Sequence, residues 1–155
     1  MRFLLQRVKE AEVRKKNSYI AAIDKGILLF AGFSYQDTEK LLDSKPWQKM
    51  LQKVPELRIF PDQEGKSNQS LYQIQGDLML VSQFTLHADC KKGRRPSYNL
   101  ASSPEIAETL YNRLVNDMTS ICPAKVESGV FGAEMDISFC NWGPLTIILD
   151  SEEFV

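Results

Sequence analysis

Two hydroxyls and a carboxamide, those of Ser82, Thr85 and Gln83, close an apolar run, and within ten residues the chain turns basic, with Lys91, Lys92, Arg94 and Arg95 around Gly93. Ser and Thr are ordinary strand-end residues and Gln tolerates a half-buried position, so this run could serve structure alone, a reading that the basic segment beside it weakens. Four cations in five positions repel one another unless they are solvated or face an anion such as phosphate. The loop is therefore a candidate polyanion contact, and an ordinary solvated loop is the alternative. A threonine hydroxyl is a weak nucleophile without a base. His87, the one histidine of the chain, lies two residues on and on the same face if the strand continues, so a Thr85–His87 dyad is one available chemistry.

A second group is Asn141-Trp142-Gly143-Pro144-Leu145-Thr146. Gly-Pro between two strands is usually only a turn. An X-Pro bond also adopts cis at modest cost, and then two successive carbonyls point the same way and make a rigid wall that could reject a substituent by shape. Cys90, Cys122 and Cys140 are odd in number and form no CxxC pair, so neither a disulfide framework nor a thiolate zinc site is indicated. No metal and no cofactor is expected, and Cys90 beside Lys91 and Lys92 is read as incidental.

The elements that must carry these groups follow from periodicity. Phe3 to Val8 reads as a strand largely buried on both faces, and residues 13–23 as a hairpin turning at Asn17-Ser18. Ile27 to Ala31 is a short buried strand. Leu41, Leu42, Trp47, Met50, Leu51 and Val54 recur at helical spacing, with Pro46 at a helix start and an end near Pro55. "LRIF" reads as a strand, "PDQEGKSNQS" as a loop, and Asp77 to Leu86 as the clearest strand. A Ser103 cap, Pro104 and Glu105 open a helix with Ile106, Leu110, Leu114, Val115 and Met118 on one side. Two further strands, Met135–Phe139 and Leu145–Leu149, flank Gly143-Pro144. The expected fold is α/β: a single domain over residues 1–155, with a mixed, mostly antiparallel sheet and two main helices packed on it.

With 155 residues, 43% hydrophobic and 25% charged, the composition is that of an ordinary globular domain. A net charge of -1 gives no global attraction to nucleic acid or to a membrane surface. Charges at Arg2, Arg7 and Lys9 interrupt any leader-like or membrane-spanning run. A cytoplasmic protein without membrane or DNA partners is expected.

"LLQRV", "LRIF", "VSQFTLHADCKKGRRPSY", "FGAEM" and "NWGPLTIILDS" occur in an order and at a spacing that together resemble the D-aminoacyl-tRNA deacylases, over essentially the whole chain. The family's SQxxT and NxGPxT signatures match Ser82-Gln83-Phe84-Thr85 and Asn141 to Thr146. The resemblance implies a homodimer in which the sheets of two subunits join. It implies hydrolysis of the ester between a D-amino acid, or glycine mischarged on tRNA-Ala, and the terminal adenosine of tRNA. It implies that Gly143-Pro144 enters the partner subunit's site and excludes L-amino acids, anchored by Arg7. The backbone amides at Phe84-Thr85 and the side chains of Ser82 and Gln83 would position the ester, while the ribose 2′-hydroxyl helps activate water. Phe131 would border the adenine and Met135 the pocket wall, with Lys91, Lys92, Arg94 and Arg95 meeting tRNA phosphate. An aromatic residue is common in the family where His87 stands, and Trp142 and Leu145 depart from its usual residues beside the dipeptide. A non-catalytic tRNA-binding module and an esterase with Thr85 as nucleophile are the alternatives.

Overall fold

The computed structural model of the chain describes residues 1–154. Its organising element is β1 (Arg2–Lys15), which is bonded along both edges. On one edge its second half pairs with β2 (Ser18–Ile23) and its first half with β3 (Gly26–Gly32), both antiparallel. The β1–β2 turn falls on Lys16 and Asn17, with φ of 47° and 64°, one residue before the expected Asn17-Ser18. Two successive positive φ values suit the right-handed twist of a hairpin, and Ser18 is already paired with Lys15.

Helix α1 (Lys45–Glu56) starts where Pro46 and Ser44 indicate, since the Ser44 hydroxyl accepts from Trp47 N at 3.3 Å. Pro55 lies inside its last turn rather than beyond it. The expected "LRIF" strand shrinks to β4 (Phe60–Pro61), which pairs with β5 (Ser67–Gln69) inside the stretch read as loop. Short helix α2 (Leu71–Ile74) went unread, although its Ser70–Gln73 pair makes both bonds of a capping box. Then β6 (Asp77–Ser82) joins β3 in parallel, α3 (Pro104–Ile121) crosses back, and β7 (Val126–Ser128) joins β6 in parallel. Ser103 occupies the α3 N-cap position without a side-chain capping bond.

The last strand, β8 (Asp136–Asp150), pairs antiparallel with the free edge of β1 over its length. Two strands were expected here; one continuous strand is present, interrupted by a bulge. Gln6 faces Thr146 and Val8 faces Asn141, so the four residues Trp142–Leu145 stand against Arg7 alone. The Gly143-Pro144 bond within the bulge is cis.

The result is the single mixed α/β sheet domain with two main helices that the periodicity indicates. Strands β3 and β6 bury both faces. One face meets the helices in a core built on Phe3, Leu5, Leu29, Trp47, Leu80 and Leu114. The other is covered because the β1–β2 hairpin curls back to touch β6 and β7, enclosing Val8, Val13, Ile23, Leu28, Met79 and Val81. In β1 the inward positions Phe3, Leu5 and Val8 are buried while Leu4, Gln6 and Arg7 are only half-buried, so the expectation of burial on both faces does not hold within this chain. Among the described residues no helix is long and apolar enough to cross a membrane.

Candidate active site

Strand β6 ends at Ser82, four residues short of the expected Leu86, and Phe84–His87 forms a 3-10 turn. The cause is its partner: β3 stops at Gly32, so beyond Ser82 there is no ladder to extend. Gln83 N makes the last sheet bond, to Ala31 O at 2.7 Å, and Leu86 N then returns to Gln83 O at 3.3 Å. Gly32 permits this close turn, because a Cβ there would lie 2.7 Å from Gln83 O and 3.0 Å from Leu86 Cβ. Thr85 and His87 therefore sit in a helical turn and do not share a strand face.

Their environments differ accordingly. The Thr85 hydroxyl accepts from the Gln83 amide, Nε2 to Oγ1 at 2.5 Å. His87 is buried, and its Nε2 has no hydrogen-bond partner among the described residues. Burial holds the imidazole pKa below its ordinary value, so the ring is neutral near pH 7. The dyad is replaced by a Gln83–Thr85 pair and a packed histidine.

A cavity of about 220 Å³ opens at this strand end, lined by Ser82, Gln83, Phe84, Phe131 and Glu134 among others. The turn and the "FGAEM" segment, far apart in sequence, thus meet. Phe131 packs against Tyr111 of α3, ring centroids 5.8 Å apart, and the buried Tyr111 hydroxyl donates to Leu80 O at 2.8 Å. Tyr111 couples helix, β6 and cavity wall, and burial pushes its phenol pKa up. It was missed as a site residue because a tyrosine on the apolar side of a helix reads only as core. Met135 lines an adjoining hollow with Lys15 and Lys16 rather than this cavity, and the two spaces share Glu134.

The Gly143-Pro144 bulge lines no part of that cavity. It is exposed on β8 and braced from β1. Arg7 donates Nε to Trp142 O at 2.5 Å and Nη1 to Ile59 O. It thus grips the residue before the dipeptide and not the carbonyls of Gly143 or Pro144. Its guanidinium also lies 5.1 Å from the Trp142 ring centre, and that ring packs on Phe60 at 6.3 Å. Trp142 and Leu145, the two departures, are both turned toward the core.

Asn141 and Thr146, the ends of the motif, converge on Gln6. Asn141 Nδ2 donates to Gln6 Oε1 at 2.7 Å and the Thr146 hydroxyl donates to the same oxygen at 2.9 Å. Gln6 was not singled out beforehand, and only its position beside Arg7 could have drawn attention to it. The cations Lys91, Lys92, Arg94 and Arg95 are exposed on a loop closed at its base by Asp89 and Ser97, whose main chains exchange bonds of 2.8 and 2.9 Å. Among the described residues the ion pairs leave these four unmatched, and no three His, Cys, Asp or Glu side chains gather as a metal-binding group.

Known proteins are similar to this chain over nearly its whole length. A D-aminoacyl-tRNA deacylase of Nitratidesulfovibrio vulgaris is 50% identical over 153 residues, covering 99% of this chain and 94% of that one. A solved structure described as c-Myc DNA Unwinding Element Binding Protein superposes with a TM-score of 0.86 at 36% identity, covering 97% of this chain and 98% of the other. A second, described as a probable eukaryotic D-amino acid tRNA deacylase, superposes at 0.76 over 96% of this chain and 97% of that one; at 20% identity it bears on the fold alone. The model of the family described as D-Tyr-tRNA(Tyr) deacylase matches residues 4–150, which span both the Ser82–His87 turn and the Asn141–Thr146 bulge, and the chain belongs to that family.

Proposed function

We propose that the chain hydrolyses the ester joining a D-amino acid, or glycine, to the terminal adenosine of tRNA, and that two copies are needed to do so. The family makes it an ester hydrolase acting on aminoacyl-tRNA; the substrate range and the mechanism are the reading offered here. The observation that carries it is the meeting of Ser82, Gln83, Phe84 and Phe131 on one cavity at the end of β6. The aromatic ring suits the adenine and the polar strand end suits the ester.

In this reading water attacks the ester carbonyl, the bond to the ribose 3′-oxygen breaks, and that oxygen takes up a proton. The products are a free amino acid and tRNA. The N–H groups of Phe84 and Thr85 open the 3-10 turn, where the first N–H groups have no carbonyl within the helix. They are the donors available to the carbonyl oxygen as it gains charge. Thr85 contributes its backbone rather than a nucleophilic oxygen, because its hydroxyl is paired with Gln83 and not with an imidazole. The base role falls to the ribose 2′-hydroxyl.

The cavity is smaller than the about 300–1,000 Å³ usual for ligand sites, which supports a missing wall. The 15-residue edge strand β8 leaves Phe139 40% and Ile148 63% exposed. A long apolar edge of this kind is a ready pairing surface. A second copy joined there would present its exposed Gly143-Pro144 as the wall that admits a D-side chain and rejects an L-side chain. Lys91, Lys92, Arg94 and Arg95 would meet tRNA phosphates.

Release of amino acid from matched D-Tyr-tRNA, L-Tyr-tRNA and Gly-tRNA tests this. Cleavage of the D- and glycyl esters with the L-ester spared is expected. Cleavage of D- and L-esters alike would remove the chiral wall, and cleavage of none would leave a tRNA-binding module.

A further inference from the structure

Among the described residues nine large apolar residues stay exposed, and two of them, Phe84 and Tyr98, touch one another where Phe84 lines the cavity. The segment carrying Tyr98 and Leu100 runs against the one after β3: Tyr35 N donates to Leu100 O at 2.9 Å, and Ser34 bridges Ala101. The Phe84 ring, 56% exposed, meets the Tyr98 ring, 44% exposed, edge-on with centroids 5.0 Å apart and planes at 73°. Nothing in the proposed chemistry uses either ring, since Phe84 serves through its main chain.

Scattered exposed aromatics need no explanation, but these two have a particular setting. Phe84 lies on the cavity rim. Tyr98 follows directly on Ser97, whose bonds to Asp89 close the cationic loop. One short piece of chain therefore holds two ring faces at nearly a right angle beside four cations that have no carboxylate partner among the described residues. Bases of an unpaired strand stack on such rings while their phosphates meet the cations. Paired bases are already stacked and offer no free face.

We propose that Phe84 and Tyr98 form a stacking platform for the unpaired nucleotides that precede the terminal adenosine, with Lys91, Lys92, Arg94 and Arg95 against the phosphates between them. The identity of the occupant rests on the deacylase reading above. The platform recognises a base face rather than base edges, so its sequence preference is weak. The angle between the rings turns the strand as it enters the cavity.

The test uses the full chain and a fluorescent single-stranded RNA hexamer with a free 3′-adenosine, alongside the same sequence as a blunt duplex. Tyr98→Leu should weaken hexamer binding about tenfold, within the range of one lost base stack. Tyr98→Phe, which keeps the ring, should restore it, and duplex binding should not move. With D-aminoacyl-tRNA, Tyr98→Leu should raise KM about tenfold at unchanged kcat. Cleavage of a D-aminoacyl-adenosine, which lacks the preceding nucleotides, should stay at the wild-type rate. Wild-type affinity of Tyr98→Leu for the hexamer overturns the platform. So does a change in its sedimentation, which would assign the patch to contact between copies. If no ester is cleaved by the wild type but hexamer binding still depends on the Tyr98 ring, the platform stands and the deacylase reading is what fails.

Discussion

The turn after β6 rests on buried strands and is fixed mainly by main-chain bonds, Gln83 to Ala31 and Leu86 to Gln83. The bulge in β8 stands on an exposed edge strand and is fixed by side chains, with Arg7 on Trp142 and Gln6 holding Asn141 and Thr146. One region places main-chain N–H groups beside a hollow; the other is an exposed bulge that the proposed function makes a wall. Side-chain truncation should therefore spare the first and damage the second, and backbone crowding should damage whichever region it strikes.

Gly143→Ala strikes the wall at its tip and carries the largest expected effect. An added Cβ would lie 2.1 Å from Asn141 Oδ1 and 2.3 Å from Leu145 N. The main-chain atom cannot give way like a flexible side chain, so the bulge must move. A displacement of about 1 Å in a positioning element lowers turnover on the order of 100-fold, and kcat/KM for the D-ester should fall by that amount. Single-turnover deacylation measures it. A variant within twofold of wild type would mean that the bulge takes no part in the site.

Arg7→Ala removes the brace and leaves the tip intact. Hydrogen bonds from a charged donor contribute about 1.5–3 kcal/mol, so a loss of roughly 2 kcal/mol in the transition state corresponds to about 30-fold in rate. Arg7→Lys should not rescue activity, because a single ammonium lacks the planar fork that reaches both Trp142 O and Ile59 O. Full activity of the lysine variant would show that charge alone, without the two-pronged grip, holds the bulge.

The same contrast explains what could be read in the sequence. The two main helices, α1 and α3, were legible because Ser44, Pro46 and Pro104 punctuate apolar stripes of helical period. Strands β3 and β6 were legible as continuous apolar runs between glycines and polar residues. The end of β6 was not, because it depends on where β3 stops, a fact of tertiary pairing rather than of residues 83–86. The single β8 was hidden for a related reason: Gly-Pro reads locally as a terminator, and only β1, bonded on both sides of the bulge, carries the strand through. Of the site, the motifs could be quoted in advance but their supports could not. Gln6 and Tyr111 are ordinary residues in ordinary elements, and their partners lie 135 and 31 residues away.

On the other side of the comparison, Thr85→Val should leave deacylation within about fivefold of wild type. The substitution removes the acceptor of the Gln83 amide at 2.5 Å but keeps the main-chain N–H groups. One neutral hydrogen bond is worth about 1 kcal/mol, the upper limit of the loss expected. A fall of about a thousandfold, or an acyl-enzyme trapped by acid quench, would make Thr85 the nucleophile and return the first region to side-chain chemistry.

The smallest effect belongs to His87, which the first region buries without using. Burial is the main reason that its pKa lies below the ordinary 6.5, and the positive charges of the α-amino group and Arg2 act in the same direction, against a Gly32 backbone bond and Asp37. An unfolded chain therefore protonates this imidazole near pH 6.5 while the folded chain does so only at lower pH. Below about pH 6.5 the unfolded state binds more protons, so stability falls as pH falls, and above about pH 7.5 His87 contributes no dependence. Burial pushes the Asp150 carboxyl up, but the Arg2 hydrogen bond, the Glu152 N–H and the positive charges of Arg2 and the α-amino group together hold its pKa below 3.8, so its contribution is lost only at more acidic pH and does not overlap that window. The melting temperature should thus drop between pH 7.5 and 5.5, and drop less in His87→Phe, with deacylation at pH 7.5 preserved in the variant. Equal slopes would show that the folded imidazole titrates normally, and a pH–rate inflection near 6.5 that vanished in His87→Phe would give the histidine a part in the reaction.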